Sequence, residues 1–290
     1  MVFKCFTAAF AGMVLISGAA AADAPTKLWE LGWLETPESA LPDSDASVIY
    51  VSNIAGKPTE KDGNGYISKV SIDGRMLEAK WVTGLDAPKG LIKSGGKVFV
   101  SDIDKLVEID VASGKIAAKH EAPGAKFLND TAVDGVGNVY VSDMLTNVIW
   151  RLSGGKLEPW LSADALINPN GLFVDGDQLV VAAWGVMAED WSTKVPGHLL
   201  AVSLKDKSVK ALGSGAPVGN LDGLEPLGKD SFLVSDWAAG KVFRIARSGE
   251  ATELIALSSG SADLGYDAKS KTAFIPLMKD GKLVAYRIGE

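Results

Sequence analysis

Asn129-Asp130-Thr131-Ala132-Val133, a turn from Asp134 to Asn138, Val139-Tyr140-Val141-Ser142-Asp143, a second turn and Val148-Ile149-Trp150-Arg151-Leu152 follow one another without interruption. β-Branched and aromatic residues fill the runs, and Gly, Asp and Asn fill the gaps, which is the pattern of short strands joined by hairpins. The tripeptide in the middle run recurs through the chain as Val51-Ser52-Asn53, Val100-Ser101-Asp102, Val141-Ser142-Asp143, Val181-Ala182-Ala183, Val234-Ser235-Asp236 and, more degenerate, Ile275-Pro276-Leu277. The spacings are 49, 41, 40, 53 and 41 residues, the period of a four-stranded propeller blade. Six anchors predict an all-β, six-bladed β-propeller. No stretch after residue 22 carries sustained helical periodicity.

A propeller ring has to be closed, because an open blade edge invites pairing with another chain. The last unit offers about three strand-like runs, Leu264 to Tyr266, Thr272 to Leu277 and Leu283 to Ile288. The spare apolar run Leu28 to Leu34 is therefore expected to supply the fourth strand of that blade. The unbroken repeat, with no low-complexity or linker block, predicts one domain over residues 23–290.

Ahead of it, Lys4, the apolar stretch Cys5 to Ile16 and the small residues from Ser17 to Ala22 read as an export signal. Ala20 and Ala22 fit the cleavage rule, leaving Asp23 as the new N-terminus and a periplasmic or secreted destination. The only cysteine, Cys5, lies inside that leader, so neither a disulfide nor thiol chemistry is expected after cleavage. The formal charge of -7 becomes one unit more negative when Lys4 is removed. A net acidic chain without a basic cluster is a poor partner for nucleic acid or for an anionic membrane surface.

Oxygen-bearing residues recur at one phase of the repeat, ahead of the innermost strand of a blade: Glu38 in the first, Asn129 in the third, Asn170 in the fourth and Asp222 in the fifth. That phase converges on one face of the central channel. Two carboxylates and two amide oxygens are hard ligands, suited to calcium and less often to magnesium or manganese; zinc prefers His or Cys. Asn170-Gly171 and Asp222-Gly223 are also common hairpin turns, so a purely structural role stays open for both. Asp130 is expected to fix its loop, and Asp102, Asp143 and Asp236 to accept backbone N–H groups of the turns that follow them.

At these residues the chain resembles the regucalcin/gluconolactonase family (senescence marker protein/gluconolactonase/luciferin-regenerating) of six-bladed propellers. The matching segments are Pro37-Glu38-Ser39, Phe127-Leu128-Asn129-Asp130, Asn168-Pro169-Asn170-Gly171-Leu172 and Leu221-Asp222-Gly223-Leu224. The resemblance implies one divalent metal held by Glu38, Asn170 and Asp222, with Asn129 a further ligand or a substrate contact, and Asp222 as general base. The metal would polarise a lactone carbonyl and help to activate water. Substrate contacts are expected at Asn129 and Trp184. The chain departs from the family pattern in two places. Thr36-Pro37-Glu38-Ser39-Ala40 lacks the usual Gly before the acid and the aromatic after it, and Lys126-Phe127-Leu128 stands where an arginine is often found. Both departures bear on the substrate more than on the metal.

Other signals carry less. Glu60 to Ile67 imitates the start of a helix-loop-helix calcium loop, but Ser71 stands where the bidentate Glu belongs and the flanks read as strands, which makes a hairpin loop. His120 and His198 fall outside the innermost-strand phase. Gly185 to Pro196 is long enough for a pocket wall or lid, or for a packed insertion. No phosphate loop, nucleophile elbow or Cys/His cluster is present. Two functions remain: an exported, metal-dependent lactone or ester hydrolase, and a noncatalytic propeller that binds a protein or small ligand around a structural metal. An open, water-accessible position beside Asp222 separates the first from the second.

Overall fold

The computed structural model describes residues 1–2, 24–190 and 192–289. The expected leader and its cleavage point lie outside the described residues. Six four-stranded antiparallel sheets stand around one axis, with their innermost strands at Pro37–Asp43, Pro88–Ser94, Leu128–Val133, Pro169–Asp175, Leu221–Leu227 and Gly265–Asp267. Each of the first five sheets is built from consecutive strands apart from the fourth, where a separate two-stranded hairpin, Gly185–Met187 with Thr193–Pro196, interrupts the order. A single short 3₁₀ turn, Asp164–Leu166, departs from β structure among the described residues.

The chain N-terminal to the first blade closes the ring. Thr26–Leu31 pairs antiparallel with Lys282–Arg287 and completes the sixth sheet. The strand ends sooner than the apolar run Leu28 to Leu34 suggests. Trp33 adopts a positive φ of 68° and is 98% exposed, which breaks the ladder. Leu34 then turns inward, and its N–H donates to the Gly281 carbonyl at 3.0 Å.

The core lies between blades, not within them. Tyr50, Ile67 and Val82 of the first blade pack on Leu91, Val98 and Val107 of the second, and equivalent layers recur around the circle. The layer of Ala40, Ile49, Phe274 and Leu283 seals the first blade against the sixth. Both faces of each inner strand are covered, so runs such as Val98-Phe99-Val100 are apolar without alternation. Each fully buried aliphatic or aromatic side chain contributes about 1.5–3 kcal/mol.

One irregularity repeats in five blades. The register between the first and second strands slips at Pro37/Ala40, Pro88/Leu91, Leu128/Thr131, Pro169/Leu172 and Leu221/Leu224. Each slip is a β-bulge that frees two consecutive residues from the ladder. Three of these strands open with Pro, a residue tolerated at the first position of a strand because it has no N–H to give.

Candidate metal and substrate site

The first residue of each bulge faces one end of the channel. Glu38, Lys89, Asn129, Asn170 and Asp222 together line a cavity of about 200 Å³ that opens to solvent. All five are buried, with exposures of 1–4%. The four oxygen-bearing residues expected from the sequence thus meet in one place. They sit inside the strands at the bulges, not in the loops ahead of them. Asn170-Gly171 and Asp222-Gly223 are not hairpin turns either. Gly171 is required by a close approach between blades, since a Cβ there would lie 2.1 Å from the carbonyl oxygen of Asp222.

The second residue of the bulge faces the other way. Ser39 and Asp130 line a separate cavity of about 160 Å³, together with Asp263 of the sixth blade and Glu225. Asp130 ties two blades together: its carboxylate accepts the N–H groups of Thr131 and Leu172, both at 2.6 Å. That matches the fixing role expected for it.

The repeated serines and aspartates hold the bulges in place. Ser142 Oγ accepts from Asp130 N at 3.0 Å and donates to the Asn170 carbonyl of the next blade at 2.8 Å. Ser235 does the same between Gly223 N and the Ala262 carbonyl, both at 2.8 Å. Asp102 accepts from the N–H groups of Asp86 and Ala87, and Asp143 from those of Lys126 and Phe127. These partners precede the innermost strand, so the aspartates brace the entry to the site; the expectation that they bond the following turn is corrected for both. Asp236 alone of the three bonds the turn after it, through Ala239 N at 3.0 Å.

The walls above the polar floor come from a second phase of the repeat. The residues directly after the tripeptides are Ile54, Ile103, Met144, Trp184, Trp237 and Met278, apolar in every blade. All but Ile103 line the cavity, with Phe127 and Pro58 beside them. Trp184, expected as a substrate contact, stands among them. Its ring lies 5.8 Å from that of Trp237. The hairpin from Gly185 to Pro196 is anchored to this wall: Trp184 Nε1 donates to Thr193 Oγ1 at 3.2 Å, Met187 N to Asn168 Oδ1 at 3.3 Å, and Met187 packs on the Phe127–Met144–Trp184 cluster.

Lys89 escaped the sequence reading, although its signal was available. It lies eleven residues ahead of Val100, and Glu38, Asn129, Asn170 and Asp222 lie eleven to thirteen ahead of their own tripeptides. Its ammonium donates to the carbonyls of Pro58 and Ala87 at 3.0 and 2.9 Å and sits 4.4 Å from the Phe127 ring centroid. A Lys has three N–H donors, so one remains. Burial lowers its pKa to about 8, against the opposing pull of Glu38 and Asp102.

Burial also raises Glu38 and Asp222 well above the usual carboxylate range, and the charges of Asp222 and Asp263 add to this at Glu38, that of Asp263 at Asp222. Lys89 pulls Glu38 down, and a hydrogen bond from Asn170 does so for Asp222. Two oxygens of the set, Glu38 Oε2 and Asn170 Oδ1, are buried without any hydrogen-bond partner. Buried acceptors are rarely left bare, and a cation or a donor from outside is what such atoms call for. Among the described residues no group of three or more His, Cys, Asp or Glu is arranged to hold a metal. The set has only two carboxylates, so a cation here depends on the amide oxygens as well. The donors fit a hard, oxygen-seeking cation.

His120 and His198 do not line this cavity. His120 Nε2 pairs with Glu108 at 2.7 Å, and burial lowers the pKa of His198. Glu60 to Asn64 lies in the loop between Val48–Asn53 and Gly65–Ser71, closed on itself by Asn64 N to Asp62 Oδ1 at 3.0 Å, and Gly65 to Ile67 opens the second of these strands.

Neither protein-family models nor curated proteins give a match to this chain. Solved structures do, at the level of the fold. Regucalcin from Agrobacterium tumefaciens, described as calcium-binding, superposes with a TM-score of 0.65 at 16% identity, covering 89% of this chain and 91% of its own. A gluconolactonase from Xanthomonas campestris gives 0.65 at 15%, covering 91% and 89%. A catalytically inactive histidine-to-alanine variant of virginiamycin B lyase from Staphylococcus aureus, in a structure with quinupristin, gives 0.58 at 13%, covering 91% and 99%. The chain therefore has regucalcin- and gluconolactonase-like structural neighbours.

Proposed function

We propose that the protein is a divalent-cation-dependent hydrolase of lactones or related esters, with Glu38, Asn170 and Asp222 holding the cation and Asn129 completing the site. The observation that carries this reading is the convergence, from four blades, of buried oxygens of which two have no partner, at the floor of a cavity that opens to solvent. The calcium-binding description of the regucalcin neighbour supports calcium as the first cation to try. A bound cation would supply Lewis acidity toward the ester carbonyl and would stabilise hydroxide character in water.

The chain supplies the rest. Asp222 takes the proton of the attacking water as the new C–O bond forms, and returns it to the ring oxygen as the ester C–O bond breaks, so that lactone and water give one hydroxy acid. Asn170 orients Asp222 through its side-chain hydrogen bond. The apolar walls keep competing water from the reacting end. Export to the periplasm or medium belongs to the same proposal and rests on the pattern from Lys4 to Ala22.

Hydrolysis of a panel of small lactones by chelator-stripped protein, resupplied in turn with calcium, magnesium, manganese or zinc, tests it. Turnover restored by a cation and abolished in Asp222→Ala is the expected result. No turnover with any cation would leave the binding propeller as the better account.

A further inference from the structure

The cavity has one polar end and no other. Glu38, Lys89, Asn129, Asn170 and Asp222 form its floor, and among the described residues no Ser, Thr, Tyr, Gln or Arg contributes to its lining. The polar handles on the aromatic wall are already used: Trp184 Nε1 donates to Thr193 Oγ1, and Trp237 Nε1 points at Met278 Sδ at 3.3 Å. On the floor Asn129 Nδ2 is turned to Met144 Sδ at 3.8 Å, and two of the three Lys89 donors are held by backbone carbonyls. What remains is one Lys89 N–H and the bare oxygens, all at the same end.

A polyhydroxylated lactone would bring hydroxyls to walls that cannot receive them. Each hydroxyl buried there without a partner loses its hydrogen bonds to water and weakens binding. An aromatic or aliphatic body gains from the same surface. Met144 and Met278 reshape around it, and the tryptophans offer ring faces. The volume suits a small ring, since an apolar cavity of roughly 150 Å³ accommodates benzene in another protein.

Resting on the hydrolase reading, we infer that the substrate is a lactone or ester with an apolar body and a single polar end, which enters carbonyl-first so that Lys89 and the floor oxygens meet the reacting group. Polyhydroxy lactones are rejected by the walls.

Dihydrocoumarin and γ-nonalactone, set against glucono-1,5-lactone, test this on the calcium-loaded protein and on its Asp222→Asn variant. Initial rates report turnover in the first, and quenching of Trp184 and Trp237 fluorescence reports binding in the second. The expected result is about 100-fold higher kcat/KM for the apolar lactones, with saturable quenching by them alone. Saturable binding of the apolar lactones without turnover supports the substrate class and removes the hydrolase reading. Glucono-1,5-lactone hydrolysed or bound as well as the others overturns the substrate class and leaves hydrolysis standing. Absence of binding by all three overturns the inference.

Discussion

At Gly171 one missing methyl group decides whether two blades can touch. An added Cβ would meet the Asp222 carbonyl at 2.1 Å and the side chains of Ala182 and Leu224 at 3.1 Å. Gly171→Ala is expected to cost about 1–3 kcal/mol through overpacking and to weaken cation binding by displacing Asp222. Gly96→Ala, where nothing lies within 4 Å, serves as the control; urea denaturation and calorimetric cation titration of both check the pair. Lys89 acts at the same scale through charge. Its ammonium already offsets part of the negative charge around Glu38. Lys89→Met is expected to bind a divalent cation more tightly than the parent, and an unchanged or weaker Kd by calorimetry would show that the ammonium does not share the field of the site.

At the scale of the element, the bulge is what turns a strand into part of a site. Its two freed residues point to opposite ends of the channel, which is why Asn129 and Asp130 are neighbours in sequence and belong to different cavities. Ser142 and Ser235 hold the geometry by bridging the bulge of their own blade to the next. Ser142→Ala strands the Asp130 N–H and the Asn170 carbonyl, both inside the protein. Leaving such groups unpaired costs about 1–3 kcal/mol, so a lowered urea midpoint with an unchanged m-value is expected. The oxygen-bearing residues of the floor were legible because they recur eleven to thirteen residues ahead of these tripeptides. Lys89 repeats at that distance too, but a lysine reads as a solvated side chain until the fold buries it. The partners of Asp102 and Asp143 were not legible, because the loops they brace lie 15–17 residues back in sequence and only strand pairing brings them near.

At the scale of the whole molecule, two features are open to test. The sixth blade depends on Thr26–Leu31 to cover the edge of Lys282–Arg287. Removing residues 24–31 is expected to expose that edge and the Phe274 layer, giving a lower Tm and self-association visible by size-exclusion chromatography. The second feature is the acidic lining of the other cavity. Burial, reinforced by the charge of Asp263, pushes Glu225 up to about 8, and burial pushes Asp263 to about 7 against the hydrogen bond from Ser39. Asp130, raised well above its ordinary range by burial and by the charge of Asp263, faces them, and among the described residues no Lys or Arg lines the cavity. In the unfolded chain such groups ionise near pH 4. The folded state therefore holds protons that the unfolded state has lost, and stability falls as pH rises from about 4 through 8. Urea midpoints at pH 5 and pH 8.5 should show the loss, and Asp263→Asn should reduce it.

Strand propensity, turn residues and the recurrence of one tripeptide determined by themselves that this chain forms six blades, and they marked the phase whose side chains meet at the cavity floor. These are local regularities, and local order writes them directly into sequence. Which side chains meet is another matter. Ring closure brings all six blades to one cavity and five of them to its floor, the bulges choose which of two consecutive residues faces it, and burial turns Lys89 from a surface charge into part of the floor. Those outcomes depend on contacts between residues far apart in the chain, so only the tertiary structure decided them.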